Sequence, residues 1–367
     1  MTATPLSVIG ANVWLYGASG LLAGEFARLT EGHPSLRLAG AVSREQGIPL
    51  SRWHPHLAKT AALRTLSEEA AVSELTRSLE DERSRTAIVL GLPHGQSARA
   101  WHALREKLGD LAERLLVVDL SADFRLSDLE AHRYWYGEDC ADPSERERFV
   151  YGLPELFREE LHGATRIAAP GCFATALQLS AAPAARAGLV RDDQVWVFDA
   201  ITGSSGSGAT PSAGTHHPHR AANLWAYGLG GHRHEAELQQ ALARCGVTPK
   251  ISFVPHSGPF VRGIHLTAHL PLVAGVDLKK VRKAYLEDYA TEPFVEVLDE
   301  GVPDLRRVVG SNRAALALQE RHGNLIVLLT LDNVVKGGAG QALQCLNLML
   351  GLDETTGLPR AGLGVVG

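Results

Sequence analysis

The chain has 367 residues, 45% of them hydrophobic, and a formal net charge of −5 at pH 7. That length suits two domains better than one core, and the charge argues against a nucleic-acid partner, which needs a basic face. No apolar run is long enough to span a bilayer, and the first residues lack the basic region of a secretory signal.

The first elements read as strand, glycine loop and helix: ANVWLYG, ASGLLAG, EFARLTEGH. LRLAGAVS, residues 36–43, fits a buried strand. Residues 65–85 carry an amphipathic helical pattern with its charges facing solvent. TAIVLGLPHG follows, then a helix, then RLLVVDLSADF. Short apolar runs alternating with helices predict a parallel α/β sheet. Four of the runs end in small or polar residues: GASG, VSR, LPHG and DLSADFR. Ligands in such sheets bind outside the carboxyl ends of the strands, so a site is expected there.

Beyond about residue 165 the texture changes. QVWVFDAITGSSGSG, KISFVP, IHLTAHLPL and LIVLLTL are strand-like, with long polar connections. They predict a second domain with a mixed or antiparallel sheet. Its longest irregular stretch, residues 203–228, exceeds ordinary loop lengths and reads as functional or disordered. Phe173 to about Arg186 has helical composition, with Pro183 expected to kink or shorten it and Gly188 a plausible stop. KGGAGQALQCLNLMLGL reads as a glycine turn opening an apolar helix. The four cysteines, Cys140, Cys172, Cys245 and Cys345, form no CxxC pair. That is the pattern of free thiols in a reducing compartment, and it points to a cytoplasmic protein.

The stretch from Gly17 to Gly24 has glycines that would let backbone approach a pyrophosphate, followed by a helix whose start offers N–H donors. Its spacing, GxxGxxA, departs from GxGxxG, so its place between the first strand and helix carries the reading. An ordinary strand-to-helix turn is the plainer alternative. The second strand ends at Ser43 and Arg44 where an NAD site would want an acid. A hydroxyl beside a guanidinium suits a 2′-phosphate, hence NADP.

Cys172, in APGCFATA, sits where a helix begins. A helix N-terminus favours thiolate over thiol, and a nearby imidazolium would lower the pKa further. Position alone favours a buried core cysteine, the commoner fate of a lone Cys. Partners for a nucleophile are offered by HHPH (His216, His217, His219) and GHRH (His232, His234), the latter just before the helical EAELQQAL. Surface histidines or a metal site are the other readings, and zinc would want Cys or carboxylate company at set spacing. No metal is expected.

Taken in order, these motifs resemble the N-acetyl-γ-glutamyl-phosphate reductases, a family of the aspartate-semialdehyde dehydrogenase-like group. The matching stretches are GASGLLAGEF, VSREQGIPLSRWHPHL, LPHG, VDLSADFRL, YWYG, VYGLPEL, APGCFATA, GSSGSG, AYGLGGHRHEAEL, VRGI, GSN and LDNVVKGGAGQALQCLNLMLGL, over nearly the whole chain. The resemblance implies an α/β Rossmann-like NADP-binding domain, residues 1–171 and 334–367, with the C-terminal helix returning to it. It implies an α+β catalytic and oligomerisation domain with a mixed or antiparallel sheet over 172–333. Cys172 matches the family nucleophile and the GHRH segment its histidine, with His234 preferred as acid/base and His232 as substrate neighbour. Arg125 matches a position holding an anionic group of substrate, and Ser204, Ser205 and Gly206 a loop near it.

Cofactor contacts are expected from Gly17, Ser19, Gly20, Leu21 and Leu22 of the glycine loop, from Ser43, Arg44 and Pro93 at two strand ends, and from Asn333. The chain departs from the family pattern at Leu21 and Leu22, commonly Tyr and Thr, at Ala23, often Gly, and in GCFATA, commonly GCYPTA. The implied reaction is NADPH-dependent reduction of N-acetyl-γ-glutamyl phosphate through a cysteine thioester, in arginine biosynthesis, by a homodimer or homotetramer. A sister group acts on carrier-protein-linked aminoadipyl or glutamyl phosphates of lysine or ornithine biosynthesis, which is the alternative. An NADP-sensing regulator that lost the chemistry is the alternative of another class.

Overall fold

The computed structural model describes residues 10–81, 85–137, 140 and 142–365. The first nine residues, positions 82–84 of the expected helix 65–85, and the last two residues of the expected first domain lie outside that set.

Six strands form a parallel sheet: β1 (Ala11–Tyr16), β2 (Leu36–Val42), β3 (Arg85–Leu90), β4 (Leu115–Asp119), β5 (Val150–Tyr151) and β6 (Arg166–Ala168), in the order β2-β1-β3-β4-β6-β5. Helices α1 (Leu21–Glu31), α2 (Glu68–Glu80) and α3 (Ser97–Leu108) connect the early strands. The continuous apolar runs of β3 and β4 are buried, as strands covered on both faces must be. Strand order reverses between β2-β1 and β1-β3, and the carboxyl ends there open a crevice. Helices α4 (Leu129–Tyr136), α5 (Pro143–Arg146) and α6 (Pro154–Leu161) lead to β6.

After β6 comes α7 (Cys172–Arg186). A second, mixed sheet follows, with β7 (Val195–Thr202), β8 (Trp225–Ala226), β9 (Lys250–Ser257), β10 (Ile264–Pro271), β11 (Val295–Val297), β12 (Ala314–Arg321) and β13 (Asn324–Leu331) in the order β11-β12-β13-β10-β7-β9-β8. Its helices are α8 (His217–Arg220), α9 (His234–Arg244), α10 (Leu278–Asp288) and α11 (Leu305–Val308). In β10, Ile264, Leu266, Ala268 and Leu270 are buried and pack in one core with α7, while His265, Thr267 and His269 are half-buried on the other face. That alternation is the mark of a sheet with helices on one side only. The last helix, α12 (Gly340–Met349), returns to the first sheet, with Leu343, Leu346 and Met349 in the core of Val13, Leu15 and Phe26. No helix among the described residues is long and apolar enough to cross a membrane.

Three sequence expectations need correction. Pro183 neither kinks nor ends α7, which runs on to Arg186. A proline there removes the bond to the carbonyl four residues back, at about 3 kcal/mol. That carbonyl, on Leu179, instead accepts the Tyr289 hydroxyl at 2.6 Å, and Ser180 O accepts the Tyr285 hydroxyl at 2.5 Å. Gly188, at φ +63°, does follow the helix end. The glycines after Lys336 are not a turn but a π-helical segment, Val335–Ala339, continuous with α12. Gly337 N–H donates to Asp332 O and Ala339 N–H to Val334 O, each five residues back. Residues 203–228 are not structureless either. They hold 3₁₀ turns at Ser204–Ser207 and Ala213–Thr215, then α8 and β8. Buried Arg220 ties the segment down by donating to Ser257 Oγ at 2.8 Å and to Gly258 O, beneath the Trp225 ring.

Candidate active site

A cleft of about 790 Å³ runs along the carboxyl ends of the first sheet and ends at Cys172. Gly17, Ser19, Gly20, Leu21 and Leu22 line it, with Ser43, Arg44, Pro93 and Asn333. Gly17 has φ +82°, and a Cβ there would collide with the Gly91 carbonyl, so only glycine fits. Gly20 caps α1, which directs that helix start into the cleft. Exposed Arg44 and half-buried Ser43 stand at its far end, with Glu68 and Arg99 nearby. The loop, the helix start and the basic far end fit a phosphorylated dinucleotide lying along the cleft.

One brace of this loop escaped the sequence reading. His54 Nε2 lies 2.7 Å from Ala18 O; a carbonyl only accepts, so that nitrogen carries the proton. The imidazole packs on Gly24, where a Cβ would collide with it. Asn333 also acts on the frame. Its Oδ1 accepts the Gly263 N–H at 2.7 Å, and its Nδ2 donates to Ser205 Oγ at 2.9 Å.

A second pocket, about 330 Å³, opens on the other side of Cys172. Its wall carries the hydroxyls of Ser207, Ser212, Thr215, Tyr227 and Ser257, with Phe173, Trp225 and His232. Five residues line both cavities: Cys172, Gly206, Ser207, Arg233 and His234. The waist between the cavities is therefore built by the start of α7, the start of α9 and the turn after β7.

Cys172 is half-buried at the first position of α7. Burial pushes its thiol up from the ordinary value, against the pull of the Phe173 N–H, Arg125 and Arg233. Burial also holds His234 well below the usual histidine range, with His232, Arg125 and Arg233 adding to the effect. His232 is pushed down to about 4 by burial and by Arg233. These shifts favour a neutral thiol and neutral imidazoles, against the thiolate that a helix start favours. Desolvation exceeds the dipole of one helix end, which is worth about 0.3–1 kcal/mol at the surface.

The two histidines differ in place. His234 sits at the waist; a Cβ on Gly171 would collide with its ring, and its Nδ1 is buried with no hydrogen-bond partner among the described residues. His232 faces only the second pocket, and its Nδ1 accepts the His234 N–H at 3.3 Å. His216, His217 and His219 are exposed and line neither cavity.

Arg125 lines the cleft, but much of its guanidinium belongs to the frame. Nε donates to Ala169 O at 2.8 Å, Nη2 to Leu120 O at 2.9 Å and Nη1 to Glu237 Oε1 at 3.3 Å. One N–H remains on each terminal nitrogen. Ser205 and Gly206 line the cleft; Ser204 lines neither cavity, and its N–H donates to Phe260 O.

Glu237 is the residue sequence reasoning missed most plainly. It is fully buried. Its carboxylate accepts the Tyr151 hydroxyl at 2.7 Å, the Gly171 N–H at 3.0 Å and the Arg125 bond. Its Oε1 lies 3.9 Å from His234 Nε2. The three-residue spacing from His234, which puts both on one face of α9, was the available signal.

Comparison with known proteins gives the family of the chain. The profile described as "Semialdehyde dehydrogenase, NAD binding domain" matches residues 12–164, and "Semialdehyde dehydrogenase, dimerisation domain" matches 172–333. The N-acetyl-gamma-glutamyl-phosphate reductase of Methanosarcina acetivorans is 41% identical over 95% of this chain and 98% of its own. That of Methanopyrus kandleri is 37% identical with the same coverage. The [LysW]-L-2-aminoadipate 6-phosphate reductase of Deinococcus radiodurans is 38% identical over 97% of each chain. Among solved structures, aspartate semialdehyde dehydrogenase II of Vibrio cholerae shares the fold, with a TM-score of 0.65 and 14% identity over 93% of this chain and 98% of that one. The chain is an oxidoreductase of the semialdehyde dehydrogenase family and belongs to its N-acetyl-γ-glutamyl-phosphate reductase branch.

Proposed function

We propose that this acyl-phosphate reductase acts on free N-acetyl-γ-glutamyl phosphate, with NADPH as cofactor and Cys172 as nucleophile. The observation that carries the reading is the waist: Cys172 and His234 stand where a dinucleotide-sized cleft meets a smaller, hydroxyl-lined pocket. The reading assigns residues 1–171 with 334–367 to the cofactor and 172–333 to substrate and self-association, and the two sheets support it. Unpaired cysteines throughout the described chain support a cytoplasmic setting.

The neutral thiol and imidazole define the first step. His234 takes the Cys172 proton as the sulfur approaches the acyl carbon. The C–S bond forms, the bond to the phosphate oxygen breaks, and the departing phosphate takes its proton from water. Covalent capture splits one hard reduction into two easier steps. A nicotinamide cofactor held by the residues of the cleft would supply the hydride that the thioester carbon needs. His234, now an imidazolium, gives its proton to the developing oxyanion, and first-turn N–H groups of α7 stabilise that charge. On collapse the C–S bond breaks with its electron pair going to sulfur, and the hydroxyl proton passes through His234 to that sulfur, which restores the neutral thiol and imidazole. His232 stays neutral beside the pocket, and Arg125 offers its two remaining N–H groups to an anionic part of the substrate.

The test is the reverse reaction: phosphate-dependent reduction of NADP with N-acetylglutamate 5-semialdehyde. The wild-type protein is expected to turn over, and Cys172→Ser to bind NADPH normally without forming an acyl-enzyme. Near-normal turnover by Cys172→Ser overturns the nucleophile. The similarity to the Deinococcus protein favours one second reading, a carrier-linked aminoadipyl or glutamyl phosphate. Turnover with a carrier-linked semialdehyde and none with the free one would establish it.

A further inference from the structure

Arg233 is the charged side chain of the second pocket and one of the five residues at the waist. It ends the GHR run immediately before α9 and is exposed to the cavities. Its guanidinium lies over the Tyr136 ring at 5.9 Å, and its charge acts on Cys172, Tyr227, His232 and His234. Among the described residues no carboxylate or carbonyl takes its N–H groups. Arg125 differs on that point, with three of its five donors committed.

We propose that Arg233 binds the phosphoryl group of the substrate and holds it as it leaves. This rests on the acyl-phosphate reading above. A phosphoryl dianion is one oxygen away from the acyl carbon, so it must lie at the waist with Cys172 rather than at the hydroxyl-rich end of the second pocket. A planar guanidinium with free paired N–H groups matches phosphate bidentately, which a lysine ammonium does not. The cation–π contact with Tyr136 at 5.9 Å holds the guanidinium near the waist, so less freedom is lost when the anion arrives. Two imidazoles held neutral beside it add no competing charge, and the Ser207 hydroxyl, on the pocket wall, is left for the rest of the substrate; those of Ser212 and Thr215 bond each other.

The experiment measures reverse-direction kinetics of Arg233→Gln and Arg233→Lys, with separate KM values for inorganic phosphate and for the semialdehyde. Arg233→Gln is expected to raise the phosphate KM roughly tenfold to a hundredfold, as loss of a charge-assisted bond pair does. The semialdehyde KM should change less than about twofold, within one weak contact, and Arg233→Lys should fall between. A second measurement needs no turnover: inorganic phosphate protects Cys172 from iodoacetamide in the wild type, and Arg233→Gln weakens that protection by a similar factor. An unchanged phosphate dependence in both, or a semialdehyde KM rising as much as that of phosphate, overturns the proposal. Absence of wild-type turnover with intact, Arg233-dependent protection overturns the substrate reading and leaves the phosphate site standing.

Discussion

The Glu237 carboxylate grips the backbone that carries Cys172: its Oε2 accepts the Gly171 N–H at 3.0 Å, one residue before that cysteine. The same carboxylate neutralises buried Arg125, so it sets both the start of α7 and the charge balance of the site. Glu237→Gln keeps an acceptor for Gly171 but leaves the Arg125 cation buried without its counter-charge, a change worth about 3–5 kcal/mol. The expected result is a melting temperature lowered by several degrees together with a reduced kcat. A variant with wild-type melting behaviour contradicts the role given to this pair.

His234 and His232 stack edge to face at 4.6 Å, yet only His234 reaches the waist. Loss of an acid/base group lowers rate by about 10²–10⁴-fold. His234→Asn is therefore expected to cut kcat into that range, while His232→Asn acts mainly on the semialdehyde KM. Steady-state kinetics of the two variants decide it, and the opposite pattern exchanges their roles.

Stability should fall on acidification through these same rings. In the unfolded chain each imidazole binds its proton near ~6.5. In the fold His232 does so only near about 4 and His234 well below its ordinary range. The unfolded state then holds more protons as pH drops, so their contribution is full above about 6.5 and is lost on the way down to about 4. Thermal melts across that window should show Tm falling with pH, less steeply in His232→Asn. Parallel curves for the two proteins would refute the link.

Arg44 projects from the end of β2 into the far end of the cleft. If it meets a 2′-phosphate, Arg44→Ala removes a charge-assisted contact that NADH never makes. The NADPH dissociation constant is expected to rise roughly tenfold or more with that of NADH unchanged. Fluorescence titration of both cofactors tests this, and an unaltered preference removes Arg44 from the site.

Much of this architecture was legible in the residues. The apolar runs at β1, β3 and β4 are long, regular and punctuated by glycine, so parallel strands and a cleft at their ends follow from the pattern. The placement of Cys172 at a helix start was legible for the same reason, through Pro170 and Gly171. Glu237 was not, because nothing in the helical EAELQQAL sets one acid apart from another. Only the fold shows Tyr151, 86 residues away in sequence, meeting it. Pro183 misled in the same way: the hydroxyl that serves the carbonyl it strands comes from Tyr289, 110 residues beyond that carbonyl. Tertiary partners at such separations leave no local periodicity, and they decide both cases.

The π segment at Val335–Ala339 works as a gauge block. A Cβ on Gly337 would lie 2.7 Å from Cys172 Cβ, and one on Gly338 would lie 2.6 Å from a Leu22 methyl. One short piece of backbone is thus wedged between Cys172 and the glycine loop at Leu22, with no room for a methyl on either side. Buried Lys336, held by Glu155 at 2.5 Å and Gln344 at 2.8 Å, pins it from behind. The spacing between Cys172 and the glycine loop is therefore set by backbone alone. The exposed residues around Ser207–Thr215 stand apart from it, on the wall of the second pocket, where a substitution leaves that spacing untouched.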